Sequence, residues 1–514
     1  MASIEEKRRK RRERRKKDRI EAFRKVTNNP EVLAMIFIRC LSKDVTRPNC
    51  KRAPLNIAHV CKYWRDVAHG TPKLWSSIQL KHVNLDQRAM DRHISLLKHW
   101  FSLSSNLLMT IHLHYPFSKK LLPCDTLEGT AFVRESMYHR VFNMLDFVSK
   151  QSKILKEVVV ATKGGLLLPI IHMLQAGPPN LEKCQVLATK GNVSGASIWD
   201  DRHSMPMQSI NLVRCSKLLE LKLACQLASD HTVICLPPSL ESLEVMGFYP
   251  SLLSASSLKR LVLRNLHYDQ EVGDGYPWRT IQSIPNFSPD LTHLEVTFTG
   301  RNSNIERLTE LLTLPKLRSL RVTVKGSSYL PSGDEEAEQF FNHLSVPALK
   351  SLRLDWSRSY EEDPVHWPYL KNHLSKVDLD TLILESVEFA DDDVLSLLEC
   401  AHNLHVLYVS GRHLTERLVS CLTLRHQPTG QDDTGKDLCP HIRDLTLRLG
   451  RIPASAQSVM QLVNSRREEH EDNPDSGVLM RFAFNMFRNS VEDPPKWHPD
   501  AHSVRSHNIN AKPY

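Results

Sequence analysis

One phrase, aliphatic-x-x-aliphatic-x-aliphatic, recurs along most of this 514-residue chain and restricts the folds open to it. Strong copies begin at Leu218, Leu240, Leu258, Leu291, Leu317, Leu349, Leu379, Leu404 and Ile442, as in Leu258-x-x-Leu261-x-Leu263. Weaker copies are Trp75-x-x-Ile78-x-Leu80, Leu108-x-x-Ile111-x-Leu113, Leu155-x-x-Val158-x-Val160, Leu181-x-x-Cys184-x-Val186 and Leu479-x-x-Phe482-x-Phe484. Pro-x precedes several strong copies at one offset: Pro238-Ser239, Pro289-Asp290, Pro315-Lys316 and Pro347-Ala348. The alternating last positions make a short strand with one face buried, and the first aliphatic residue covers the core from the preceding turn. Units that bury their apolar face only by stacking give a solenoid. The expectation is therefore an α/β chain with a curved parallel sheet lined by outer helices. Spacings between strong copies run 22, 18, 33, 26, 32, 30, 25 and 38 residues, so the repeats are irregular and carry long insertions.

Residues 88–102, 135–150, 305–312, 335–344 and 391–400 read as the outer helices. Segments 267–289, 355–372 and 425–440, rich in Gly, Pro and acids, read as exposed loops. The pattern resembles degenerate leucine-rich repeats; only the Leu258 copy, followed by Asn265-Leu266, approaches that family's full phrase.

Ahead of the repeats stands a split apolar segment. Val32, Leu33, Ile36, Phe37, Cys40 and Leu41 recur at intervals of three and four behind Pro30 and Glu31, which suit the first turn of a helix. After a polar stretch, Leu55, Val60, Cys61, Trp64 and Val67 form a second stripe behind Pro54. Each helix is too short to be stable alone, and a module of this size leaves apolar surface for a partner. Pro30-Glu31-Val32-Leu33, Ile36-Phe37, Pro54-Leu55, Val60-Cys61-x-x-Trp64-Arg65 and Thr71-Pro72-x-Leu74-Trp75 together resemble the F-box of fungal F-box proteins. One departure is Asn29, where that family usually has Leu. The resemblance implies docking onto a Skp adaptor of a cullin ubiquitin ligase through Pro30, Val32, Leu33, Ile36, Phe37, Leu55, Val60, Cys61, Trp64 and Val67. The remainder of the chain would hold a protein substrate, and the chemistry would belong to partner subunits. The plain structural reading of both helices is a helical cap on the repeats.

The net charge of +10 is concentrated at one end. Residues 1–25 hold thirteen basic and five acidic side chains, a net +8, so the other 489 residues carry about +2. A block this dense repels itself and reads as disordered or as a solvated helix. Lys7, Arg8, Arg9, Lys10, Arg11, Arg12, Arg14, Arg15, Lys16 and Lys17 form a candidate nuclear-localisation segment. Contact with nucleic acid, an anionic membrane surface or mere solubilisation are its other readings. No stretch approaches the roughly 18 apolar residues that cross a bilayer, and the eleven scattered cysteines read as reduced core residues. Nucleus or cytoplasm is the expected location. The domain organisation is a basic arm over 1–27, a helical module over 28–75, the solenoid over 76–490 and a polar tail over 491–514.

No phosphate-binding loop, dinucleotide turn or His-Glu-x-x-His pattern occurs, and no cofactor or metal is expected. Cys421, His426, Cys439 and His441 match no structural zinc spacing. Asp391-Asp392-Asp393 precedes a helix, where acids favour the N-terminus. The candidate surface is instead the concave sheet face, carrying Lys222, Glu244, Arg260, Val262, Arg264, Glu295, Arg321, Thr323, Arg353, Asp355, Tyr408 and Arg448. Arg260, Arg264, Arg321, Arg353 and Tyr408 are the candidate substrate contacts, since Arg and Tyr dominate protein recognition; a solvated sheet face is the alternative. Two functions compete, a ligase substrate receptor and a nuclear repeat scaffold or nucleic-acid-associated factor using the basic arm; an enzyme with an unrecognised site is a third reading with little in the sequence to support it.

Overall fold

In the computed structural model every copy of the phrase is one strand. The structure describes residues 2–42, 44–81, 87–116, 127–188, 209–224, 232–248, 250–253, 257–264, 277–298, 311–325, 333–357, 368–387, 389–411, 414–424, 438–449, 455–472 and 481–486. Within them a fourteen-stranded parallel sheet runs Ser77–Lys81, Met109–His114, Leu155–Thr162, Lys183–Ala188, Glu220–Ala224, Ser242–Met246 and Arg260–Arg264. It continues through His293–Phe298, Ser319–Lys325, Ser351–Ser357, Thr381–Val387, Val406–Gly411, Asp444–Leu449 and Arg481–Met486. Strands neighbour one another in chain order, which gives a solenoid-like α/β fold.

The proline offset has a geometric cause. In Ser288-Pro289-Asp290-Leu291, Leu314-Pro315-Lys316-Leu317 and Val346-Pro347-Ala348-Leu349, the leucine N–H donates to the carbonyl three residues back. That closes a β-turn with proline at its second position, where a φ fixed near −65° is already correct. Cys215 to Leu218 and Cys439 to Ile442 close in the same way. The turn delivers the first aliphatic residue into the core, and Leu218, Leu240, Leu258, Leu317 and Leu349 are fully buried.

Register then follows. Leu221, Leu243, Leu261, Leu294, Leu320, Leu352, Leu382 and Leu407 lie side by side across the sheet, and Leu223, Val245, Leu263, Val296, Val322, Leu354, Leu384 and Val409 form the second buried row. Just before each strand from Lys183–Ala188 to Val406–Gly411, one carbonyl accepts two N–H groups from the next repeat. Thr292 O takes those of Arg318 and Ser319, Arg318 O those of Lys350 and Ser351, and Lys350 O those of Asp380 and Thr381. A one-residue slip would turn every inward leucine outward, so these bonds and the leucine rows specify the same alignment.

Helices Gln87–Leu103, Leu127–Lys150, Gly333–His343 and Asp391–Leu398 stand where the sequence places them. The expected helix at 305–312 falls mostly outside the described residues, and Leu312–Thr313 is a short strand beside Leu344–Ser345. Two expected loops are corrected: Pro277–Phe287 and Pro368–Leu374 are helices. Pro277 and Pro368 occupy first positions, which helices tolerate, and Pro285 stands inside the first helix near its end, while Ile281 and Ile284 in one and Leu370 and Leu374 in the other are buried. Tertiary burial outweighs the loop-like composition. Helices Leu168–Ala176, Glu416–Leu422 and Ala456–Asp472 add to the outer layer. The loop 425–437 and the tail 487–514 lie outside the described residues.

The N-terminal part carries four helices: α1 (Ala2–Thr27), α2 (Pro30–Arg39), α3 (Leu55–Ala58) and α4 (Lys62–His69). Of the two forms expected for the basic arm, the solvated helix is the one described. Lys and Arg have good helix propensity, and Glu6–Lys10 and Arg9–Glu13 pair one turn apart.

Candidate functional site

Asn29 has a defined task. Its side-chain oxygen accepts the N–H groups of Glu31 and Val32 at 3.0 and 3.2 Å, capping α2. The position that departs from the F-box pattern thus starts the helix, a contribution of about 1 kcal/mol. The Cys61 thiol caps α4 by accepting the Trp64 N–H at 3.4 Å, and the Tyr63 hydroxyl donates to Asn28 O at 2.9 Å.

The apolar residues expected to form one docking stripe divide into two sets. Leu33 and Phe37 are buried within the module, with Phe37 packed on Trp64 at 5.1 Å between ring centroids. Leu55, Trp64 and Val67 are half-buried against the same core. Pro30, Ile36, Val60 and Cys61 face outward, joined by Met35 and Tyr63, which the stripe did not include. Met35 and Val60 are each 58% exposed. Periodicity finds the apolar helix but cannot say which apolar residues turn inward. That depends on where α4 crosses α2.

The module is fastened to the sheet. Trp75 is fully buried, donates to Ala68 O at 2.8 Å and meets Trp100 edge-on at 4.7 Å, while Trp100 donates to Ser77 O. Thr46 O accepts the Gln79 N–H at 2.7 Å, so the polar stretch between α2 and α3 shields the sheet's first edge. Outward apolar side chains are thereby held in a fixed relation to the strands.

On the sheet face opposite the leucine rows, register brings charges of opposite sign together. Lys222 pairs with Glu244 at 2.9 Å, and Arg264 reaches Glu244 at 3.5 Å. Arg264 also clasps Glu295 with two hydrogen bonds of 2.8 and 3.0 Å. Arg321 bridges Glu295 and Asp355, both at 3.6 Å, and Arg353 pairs with Glu385. Three of the five candidate substrate contacts, Arg264, Arg321 and Arg353, therefore carry internal counter-ions. Arg260 makes no ion pair of its own among the described residues, although its charge reaches His293 and Glu295. Tyr408 lies beneath the Arg448 guanidinium, 5.7 Å from ring centroid to charge.

The ladder divides its carboxylates. Burial pushes Glu295 up, but the Arg264 hydrogen bonds and charge, with Arg321 and Arg260 behind them, outweigh it and hold the group below its ordinary value. For Asp355, burial and the neighbouring Glu385 prevail over Arg321, Arg353 and Lys325, and the group is raised.

Cys439 is buried with its thiol on the Leu398 and Ala401 carbonyls, burial pushes it up to about 12, and His441 stacks on His405. Asp391 accepts the Thr415 N–H at 3.0 Å, linking one outer helix to the cap of the next. Among the described residues no three metal-ligating side chains converge, and no helix is long and apolar enough to cross a membrane. Residues Lys7–Lys17 are exposed along α1. No family model matches the chain, and no curated protein is significantly similar to it.

Proposed function

We propose that this protein is a substrate receptor of a Skp–cullin–F-box ubiquitin ligase, docking a Skp-type adaptor through its N-terminal helices and a protein substrate through a leucine-rich-repeat-like solenoid. The observation that carries the reading is the outward set Met35, Ile36, Val60 and Tyr63 on a helical module whose inner residues are already packed. A cap serving only the sheet would need Leu33, Phe37, Trp64 and Trp75, not an outer apolar face. Fastening through Trp75 and Thr46 gives adaptor and substrate a fixed separation, which transfer between two bound proteins requires.

Substrate contacts then fall on the less self-neutralised parts of the open face, Arg260 and the Tyr408–Arg448 pair, flanked by the ladder. Affinity purification of the tagged full-length protein tests the reading. Adaptor and cullin are expected with the wild type and absent with I36D/V60D, while thermal unfolding stays unchanged. Undiminished adaptor recovery from that variant, or none from the wild type, defeats the proposal.

A further inference from the structure

We infer that α1 is a DNA-binding element that lies in the major groove of a duplex. Between Lys7 and Arg19 the chain has no apolar residue; eleven basic against two acidic side chains leave a net +9. At a rise of 1.5 Å per residue this block is about 18 Å long, so it carries one net charge per about 2 Å. Duplex DNA carries one negative charge per about 1.7 Å of axis, so the two charge densities match.

The cations also have the right distribution around the axis. At 3.6 residues per turn, Lys7, Arg8, Arg9 and Lys10 already point to four sides, and Arg11 to Arg19 fill the spaces between. Residues 6–19 are all exposed. Charge on every side suits a cylinder with phosphates along both flanks, and a helix about 10–12 Å across fits a major groove about 12 Å wide. A bilayer surface asks for the opposite design, an apolar face beneath a basic one, which this block lacks.

Distance separates this surface from the apolar docking face. Arg19 is eight residues, or about 12 Å, from the end of α1, and Lys7 about 30 Å. Charges beyond a Debye length of about 8 Å act little on one another at physiological salt, so the block does not serve the α2–α4 face. It is free to hold a second, extended polyanion at the same time. The free helix is strained by like charges one turn apart, and phosphates that neutralise them complete it.

The test uses the full-length protein and fluorescence anisotropy with a 24-base-pair DNA duplex across a salt series. Binding should weaken linearly in log–log form. R8Q/R11Q/R12Q/R15Q should lower the slope by about 0.9 for each phosphate that is no longer neutralised, up to about 3.6, and weaken binding at least tenfold, with adaptor recovery unchanged. Arg12→Pro and Arg12→Gln remove the same charge, but only proline interrupts the helix; the proline variant should bind at least tenfold more weakly. A duplex RNA of the same sequence, whose major groove is too narrow for a helix, and phosphatidylserine vesicles should both bind more weakly than DNA. Equal binding of the two Arg12 variants, an unchanged slope in the quadruple variant, or RNA or vesicles matching DNA each overturns the inference.

Discussion

Glu295→Gln isolates the centre of the charge ladder. Glu295 is 7% exposed at its side chain, accepts two hydrogen bonds from Arg264 and lies 3.6 Å from Arg321. Removing one member of a buried pair costs about 3–5 kcal/mol, because the partner charge stays behind. Here Arg264 and Arg321 keep 32% and 27% exposure, so water offsets part of the cost and about 2 kcal/mol is expected. Glutamine preserves the volume, so the deficit is electrostatic. Its sign with pH is determined by the lowered Glu295 group: the stabilisation is full above the ordinary glutamate value of 4.5 and disappears as pH falls through the lower folded value. Urea unfolding of wild type and variant at pH 7, with hydrogen exchange on strands Arg260–Arg264 and Ser319–Lys325, reads the magnitude; a series toward pH 2 reads the sign. A difference below about 0.5 kcal/mol at pH 7, or one that persists at pH 2, refutes the reasoning.

Leu261→Asp places a charge in a fully buried row and should cost more than about 4 kcal/mol, with hydrogen exchange accelerating first in the neighbouring strands Ser242–Met246 and His293–Phe298. Asn29→Ala should lower stability by about 1 kcal/mol in denaturant titration through loss of the α2 cap. Gly177→Ala should be destabilising by at least about 1 kcal/mol, since the residue is left-handed at φ 78° and a Cβ would stand 2.3 Å from that of Arg214; thermal unfolding checks it. Arg260→Gln, which adds no negative charge beside Glu295, is the cleaner probe of substrate capture, expected to remove co-purifying substrates while the thermal unfolding transition stays cooperative.

The sheet was legible because its signal is local. Three aliphatic positions and a turn proline define each strand, and even the weak copies at Trp75 and Leu479 pair in the alignment their spacing implies. The helices Pro277–Phe287 and Pro368–Leu374 were not legible, because their evident composition is that of loops and their order comes from burial. The split of the docking stripe was hidden for a related reason: Leu33 and Ile36 are both aliphatic and one turn apart, and only the Phe37–Trp64 contact tells inside from outside. The ladder was readable in principle. Stacking the phrases puts Lys222, Glu244, Glu295, Arg321 and Arg353 in one column, but a sequence separation of 20 to 34 residues between paired side chains conceals the pairs until the copies are aligned.

Calorimetric titration of a purified Skp-type adaptor into the full-length protein tests the docking face most directly. Saturable binding with a negative heat-capacity change is expected, as for buried apolar surface, and I36D/V60D should weaken it at least a hundredfold while Glu295→Gln leaves it unchanged. Wild-type protein that gives no binding heat at several temperatures, or a double variant that binds like wild type, contradicts the assignment of Met35, Ile36, Val60 and Tyr63 as the adaptor surface.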